Sequence, residues 1–287
     1  MDNSQRKTLV RTLSGYILLF LILRFAQHAT PSRLLEPPLH QEGLDITYWI
    51  FQLLNIPAAL LENRVGAIVF DGLLFSSGIL CCIFPLKRRF LIPFSIGLFA
   101  YALAFNRAAT HHTHALAGVM IVLLPFWVAG NQKCYLLWQG VRYYCCYVYG
   151  MSFLWKIRSS GSFYFWQQGT GTFKINLADY LYHNPSTLAA ELYRLLLRHD
   201  WLLNGGASLI FILEGLMILG FFTKRWDKIL FWFPITIHLA TYFFSDVMFF
   251  ELLVLDFAFL SLKQIDQIRS FGRKALFIDY WNPSNNR

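Results

Sequence analysis

Lys156 ends an apolar, tyrosine-rich run, with Tyr149 seven residues before it and Arg142 seven before that. Seven-residue spacing puts all three on one stripe of a helix. His238, Tyr242 and Asp246 follow one another at four-residue spacing, again on one helical face. Two polar stripes inside apolar runs point to a cavity between helices, and the tyrosines Tyr143, Tyr144, Tyr147 and Tyr149 are expected to face the helix that carries His238. A lysine at the end of such a run belongs to a functional site or simply snorkels to the headgroups. His238 stands in mid-run with no route to solvent and suits acid/base or positioning work.

His111, His112 and His114 follow Asn106 and Arg107. The i,i+3 pair His111 and His114 has metal-ligand spacing, but no carboxylate or thiolate stands beside it, so no metal is expected. The five cysteines form two adjacent pairs and one single, without a CxxC, and imply neither a disulfide framework nor a zinc site. Glu214, Glu251, Asp256 and Asp71 are expected to be neutral or paired groups that hold helices together. GTG at 169–171 lacks the strand–turn–helix setting of a phosphate loop.

The elements that position these residues must be membrane helices. The chain is 56% hydrophobic and 14% charged, with a mean hydropathy of +0.44; soluble domains carry nearly twice that share of charge. The net charge of +9 sits in short clusters between apolar runs, the pattern of cytoplasmic loops rather than of nucleic-acid binding. Apolar runs at roughly 12–27, 66–86, 90–106, 114–130, 137–156, 205–223, 228–245 and 247–263 predict eight transmembrane helices in an all-α bundle. Arg6, Lys7 and Arg11 precede the first; Lys87–Arg89, Lys133, Lys224–Lys228 and Lys263–Lys274 follow the even-numbered ones. That alternation places both termini in the cytoplasm and gathers the polar residues towards the extracytoplasmic side.

Residues 1–276 read as a single transmembrane domain, with an outer segment at 157–204 and a short tail at 277–287. The first span reads as an uncleaved signal anchor. Leu44–Leu61 reads as an interfacial stretch, and Ser186–Arg198 as an amphipathic helix with Ser186 as its cap.

Three blocks give the chain a family resemblance. THHTHALAG at 110–118, VRYYCCYVYGMSFLWKI at 141–157 followed by WQQG at 166–169, and FPITIHLATYFFSDVMFFELL at 233–253 resemble, in order and topology, the membrane domain of vitamin K-dependent gamma-glutamyl carboxylase and its bacterial relatives. The resemblance runs over roughly residues 10–262. It implies a membrane-embedded protein acting on a reduced quinone, such as reduced vitamin K, with Lys156 as the base that starts oxygenation. It matches the family's carboxylation histidine to His112 or His114, the register leaving both open. Arg142 then anchors or orients an anionic oxygen, and Tyr149, Tyr242 and Trp166 join His238 around the ring system. The ten residues from Lys156 to Trp166 exceed the family's spacing, and the family's large lumenal domain has no counterpart in these 287 residues. The expected partners are membrane lipid, a quinone-like small molecule and an outer-side protein or peptide substrate. The rival reading is a non-enzymatic export, immunity or assembly factor on the same fold.

Overall fold

The computed structural model describes residues 1–34, 53–55, 60, 62–108, 121–128, 130–160, 165–245, 250–261, 263, 264 and 267. They are helical, with no strand among the described residues, and the chain divides into two compact units. The first comprises Met1–Gln139 and Leu260–Arg287, the second Gly140–Phe259.

In the first unit α1 spans Asn3–Ala26, nine residues earlier than the apolar run predicts. A capping box explains the early start: Gln5 N–H donates to the Asp2 carboxylate at 2.7 Å, and Asp2 N–H donates back to Gln5 Oε1 at 3.0 Å. A 3₁₀ turn at Pro31–Arg33 leads on, followed by α2 (Arg64–Ile83), α3 (Arg88–Ala108) and the short α4 (Leu124–Val128). α1 packs on α2, and α2 on α3. The basic residues of α1 cap carbonyls elsewhere: Arg6 Nη2 donates to Phe126 O and Arg11 Nε to Cys82 O, each at 3.1 Å. Asp71, read as a paired group, accepts from the backbone N–H and the hydroxyl of Ser32.

α5 runs from Asn131 to Ser160, so its residues from Gly140 onward belong to the second unit. There it is followed by α6 (Phe165–His183), α7 (Leu188–Arg198), α8 (Asp200–Leu216), α9 (Leu219–Phe222), α10 (Asp227–Leu230), α11 (Trp232–Ser245) and a 3₁₀ helix at Phe250–Phe259. α8 packs on both α6 and α11, and α7 contacts α6 and α8.

Two details of residues 165–198 differ from what the sequence predicts. The cap of α7 is Thr187, whose hydroxyl accepts from Ala190 N–H at 3.2 Å, rather than Ser186. α6 was not expected, because Gly169 and Gly171 interrupt its pattern. Its buried stripe is Thr170, Phe173 and Leu177, and a Cβ on Gly169 would stand 2.8 Å from the Ala207 side chain. Gly169 therefore lets α6 approach α8 closely.

Among the described residues three helical runs are long and apolar enough to cross a membrane: Asn3–Arg33, Arg64–Ile83 and Asp200–Phe222. Each carries exposed apolar stripes, such as Leu19, Ile22 and Leu23 on α1 and Leu209, Ile212 and Leu216 on α8. Water would penalise such stripes and lipid does not. α5 has the length, about 45 Å at 1.5 Å per residue, but its polar and aromatic residues dilute its hydropathy. α11 has only 14 residues.

Candidate functional site

Along α5 in the second unit, Arg142, Cys145, Tyr149, Ser152 and Lys156 alternate spacings of three and four. That period keeps them on one face for about 21 Å of helix. Each has a partner on a later element, so the face is a polar seam.

At one end Arg142 is 1% exposed. Its Nε donates to both carboxylate oxygens of Asp227, at 3.1 and 3.0 Å, and its Nη2 donates to Asp227 Oδ1 at 2.6 Å. Nη1 donates to Gly220 O at 2.7 Å and Nη2 to Thr223 O at 2.9 Å. These carbonyls belong to the end of α9, where a helix leaves acceptors without intrahelical donors, so Arg142 caps α9 from another helix. Gly220 permits the approach: a Cβ there would collide with Cys146 Sγ. Arg142 was expected to hold an anionic oxygen of a ligand. In the structure its guanidinium is engaged by Asp227 and two backbone carbonyls.

One turn along, Cys145 Sγ donates to Asp256 Oδ1 at 3.5 Å, and both residues are buried. Next, Tyr149 Oη lies 2.8 Å from His238 Nε2, with the two residues 4% and 3% exposed. Which of them donates depends on the imidazole tautomer. Tyr149 and His238, placed in one site by their stripes, are thus in direct contact.

At the far end Glu214, on α8, takes two donors from α5. Lys156 Nζ lies 2.6 Å from each Glu214 oxygen, and the Ser152 hydroxyl donates to Glu214 Oε1 at 3.0 Å. The side chain of Lys156 is 41% exposed and that of Glu214 7%. The seam is therefore closed at Arg142 and open at Lys156.

Other predicted residues lie elsewhere. Tyr242 is on α11 with His238 but is partly exposed, its ring edge-on to Phe243. The tyrosines expected to face His238 do not do so as a group: Tyr143 stacks on Phe221, Tyr144 on Tyr147, and Tyr143 and Tyr147 are exposed. Residues of a helix share a face at spacings of three, four or seven, and Tyr143, Tyr144 and Tyr147 stand six, five and two residues before Tyr149, so none of them points with it. Trp166 lies in the first turn of α6, its side chain outside the described residues. His111, His112, His114 and Asp246 also lie outside the described residues, as do most of 44–61 and the tail 277–287.

The seam contains residues that the sequence reading passed over. Cys145 and Ser152 complete the alternating pattern of α5, and the signal for them was there in the spacing. Asp227 opens α10 within a basic stretch, between Trp226 and Lys228, where nothing local marks it as the partner of a residue 85 positions away. No protein-family model, curated protein or solved structure matches the chain.

Proposed function

We propose that the chain is an eight-span membrane protein with both termini in the cytoplasm, whose seam ends in a site for a reduced quinone near the outer leaflet. Lys156 is the base of this site, Glu214 holds its proton, and Tyr149 with His238 positions the ring or relays a proton. His112 or His114 supplies a further acid/base group, and the chemistry is oxygenation or carboxylation of the vitamin K-dependent carboxylase type.

The observation that carries this reading is the Lys156–Glu214 pair: a half-open amine backed by a buried carboxylate at the accessible end of an otherwise closed polar seam. In a water-poor setting an ion pair and its neutral amine–acid form lie closer in energy than in water, because both charges vanish together. With its proton on Glu214, the Lys156 amine can accept one from a quinol hydroxyl. The orientation rests on the basic clusters at 87–89 and 224–228.

The direct test is extraction of the detergent-purified protein and chromatography of the extract for a bound quinone. One quinone per chain, lost in Lys156→Ala, supports the reading; protein free of quinone after purification from quinone-replete membranes overturns it. Reporter fusions after Arg89 and Lys228 are expected to read cytoplasmic, and fusions near Asn106 and Ser186 external. Lys156→Arg tests the base itself, since guanidinium keeps the ion pair but cannot accept a proton. The base reading expects it to fail in function as fully as Lys156→Ala at matched abundance.

A second reading, a non-enzymatic export, immunity or assembly factor, is favoured by Arg142. Its guanidinium is taken up by Asp227 and the carbonyls of Gly220 and Thr223, which is how a polar seam acts when it holds helices together. A fully functional Lys156→Arg protein would select this reading.

A further inference from the structure

α7 has three faces rather than two. At about 100° of rotation per residue, Ala190, Tyr193 and Leu196 lie on one side and are buried against the protein. Glu191, Arg194 and Arg198 lie together on a second, polar side. Leu188, Leu192 and Leu195 fall within an arc of about 60°, centred well away from the buried side, and they are 85%, 43% and 48% exposed. A helix that needed only to pack on its own fold would not carry a second leucine stripe.

The occupant of that stripe is indicated by what the helix is joined to. A single non-helical residue, His199, separates Arg198 from Asp200, where the run Asp200–Phe222 begins. A helix one residue from the start of a membrane-crossing run is held at the membrane surface by the chain itself. Its flanks carry interfacial aromatics: Tyr182 is 80% exposed and Trp201 69%. Over Leu188–Arg198 two arginines stand against one glutamate, so the seating relies on apolar area rather than on charge.

We propose that α7 is an interfacial helix, lying along the bilayer surface with Leu188, Leu192 and Leu195 in the acyl boundary and Glu191 and Arg198 towards water. The occupant of the stripe is lipid. This rests on the membrane-crossing run alone and is independent of any quinone.

The experiment uses the full chain in phosphatidylcholine vesicles, with a spin label on a cysteine introduced singly at Leu192, Leu195, Glu191 or Arg198. The unsubstituted chain gives the background of its five native cysteines, four of them buried and Cys82 intermediate. All four positions tolerate a label because none is packed in the core. Labels at Leu192 and Leu195 are expected to relax more with dissolved oxygen than with a water-soluble nickel chelate, and labels at Glu191 and Arg198 the reverse. Leucine-side labels as open to nickel as Arg198 would overturn the proposal, placing the stripe in water. Labels shielded from both reagents would overturn it too, and would point to a second copy or another protein on the stripe.

Discussion

The two ends of the seam on α5 use the same kind of contact, a basic side chain on a carboxylate, to different effect. Arg142 is 1% exposed and Lys156 41%. At the Arg142 end the cation is planar, permanently charged and bonded in several directions at once, to Asp227 and to the carbonyls of Gly220 and Thr223. At the Lys156 end the cation is a flexible point charge whose partner, Glu214, is the buried member. Arginine suits a fixed multidentate joint, and lysine suits a site where a proton or a side chain must move. One helical stripe thus carries a closed anchor at Arg142 and a half-exposed ion pair at Lys156, told apart by burial and by the number of acceptors.

The largest effect is expected at the anchor. Arg142→Ala strands Asp227 and two carbonyls, and breaking such a buried pair costs about 3–5 kcal/mol. Denaturation of the protein in detergent or bicelles checks it. Arg142→Lys is expected to lose nearly as much, since one ammonium cannot span the carboxylate and both carbonyls. If Arg142→Ala yields no folded protein, Arg142→Met with Asp227→Leu is expected to recover part of the loss, because no charge is then left uncompensated. An Arg142→Lys protein as stable as the parent would end the distinction between anchor and site.

At the open end the two halves of the pair are expected to differ. Lys156→Ala leaves the buried Glu214 carboxylate with the Ser152 hydroxyl as its remaining donor among the described residues, a loss of about 1–3 kcal/mol. Glu214→Gln keeps a carbonyl acceptor for the half-exposed Lys156 and leaves no buried charge unpaired, and costs less than about 1 kcal/mol. The same unfolding measurement on both variants checks the order, and an equal or reversed loss would mean that Glu214 is less enclosed than its 7% exposure implies.

The smallest effect belongs to the middle of the seam. Tyr149→Phe removes the hydroxyl from His238 while keeping the ring, and is expected to cost about 1 kcal/mol. If it abolishes function at matched abundance while the fold is kept, the seam's middle joins its open end as part of the site. If both stability and function are untouched, the hydrogen bond at 2.8 Å is incidental.

Helices were legible wherever apolar residues ran long. Each of the eight apolar stretches overlaps a helical element among the described residues, but only Asn3–Arg33, Arg64–Ile83 and Asp200–Phe222 are long and apolar enough there to cross a membrane, and Phe250–Phe259 is 3₁₀. α6 was illegible because glycine and polar residues dilute a stripe of only Thr170, Phe173 and Leu177. Ser186 and Thr187 are both capping residues, and only the turn geometry decides which one is the cap.

For the seam, the sequence by itself determined one half. Arg142, Tyr149 and Lys156 share a face because the α-helical repeat makes them do so, whatever that face meets. Which acid each basic group meets was decided by the tertiary structure alone. Glu214, Asp227, Glu251 and Asp256 all carry the same carboxyl group, and the pairs formed join residues 58 and 85 positions apart. Choosing among them depends on the rotation of each helix about its own axis. Packing sets that rotation, through contacts such as Gly220 on Cys146 and Gly169 on Ala207, which no local pattern in the chain encodes.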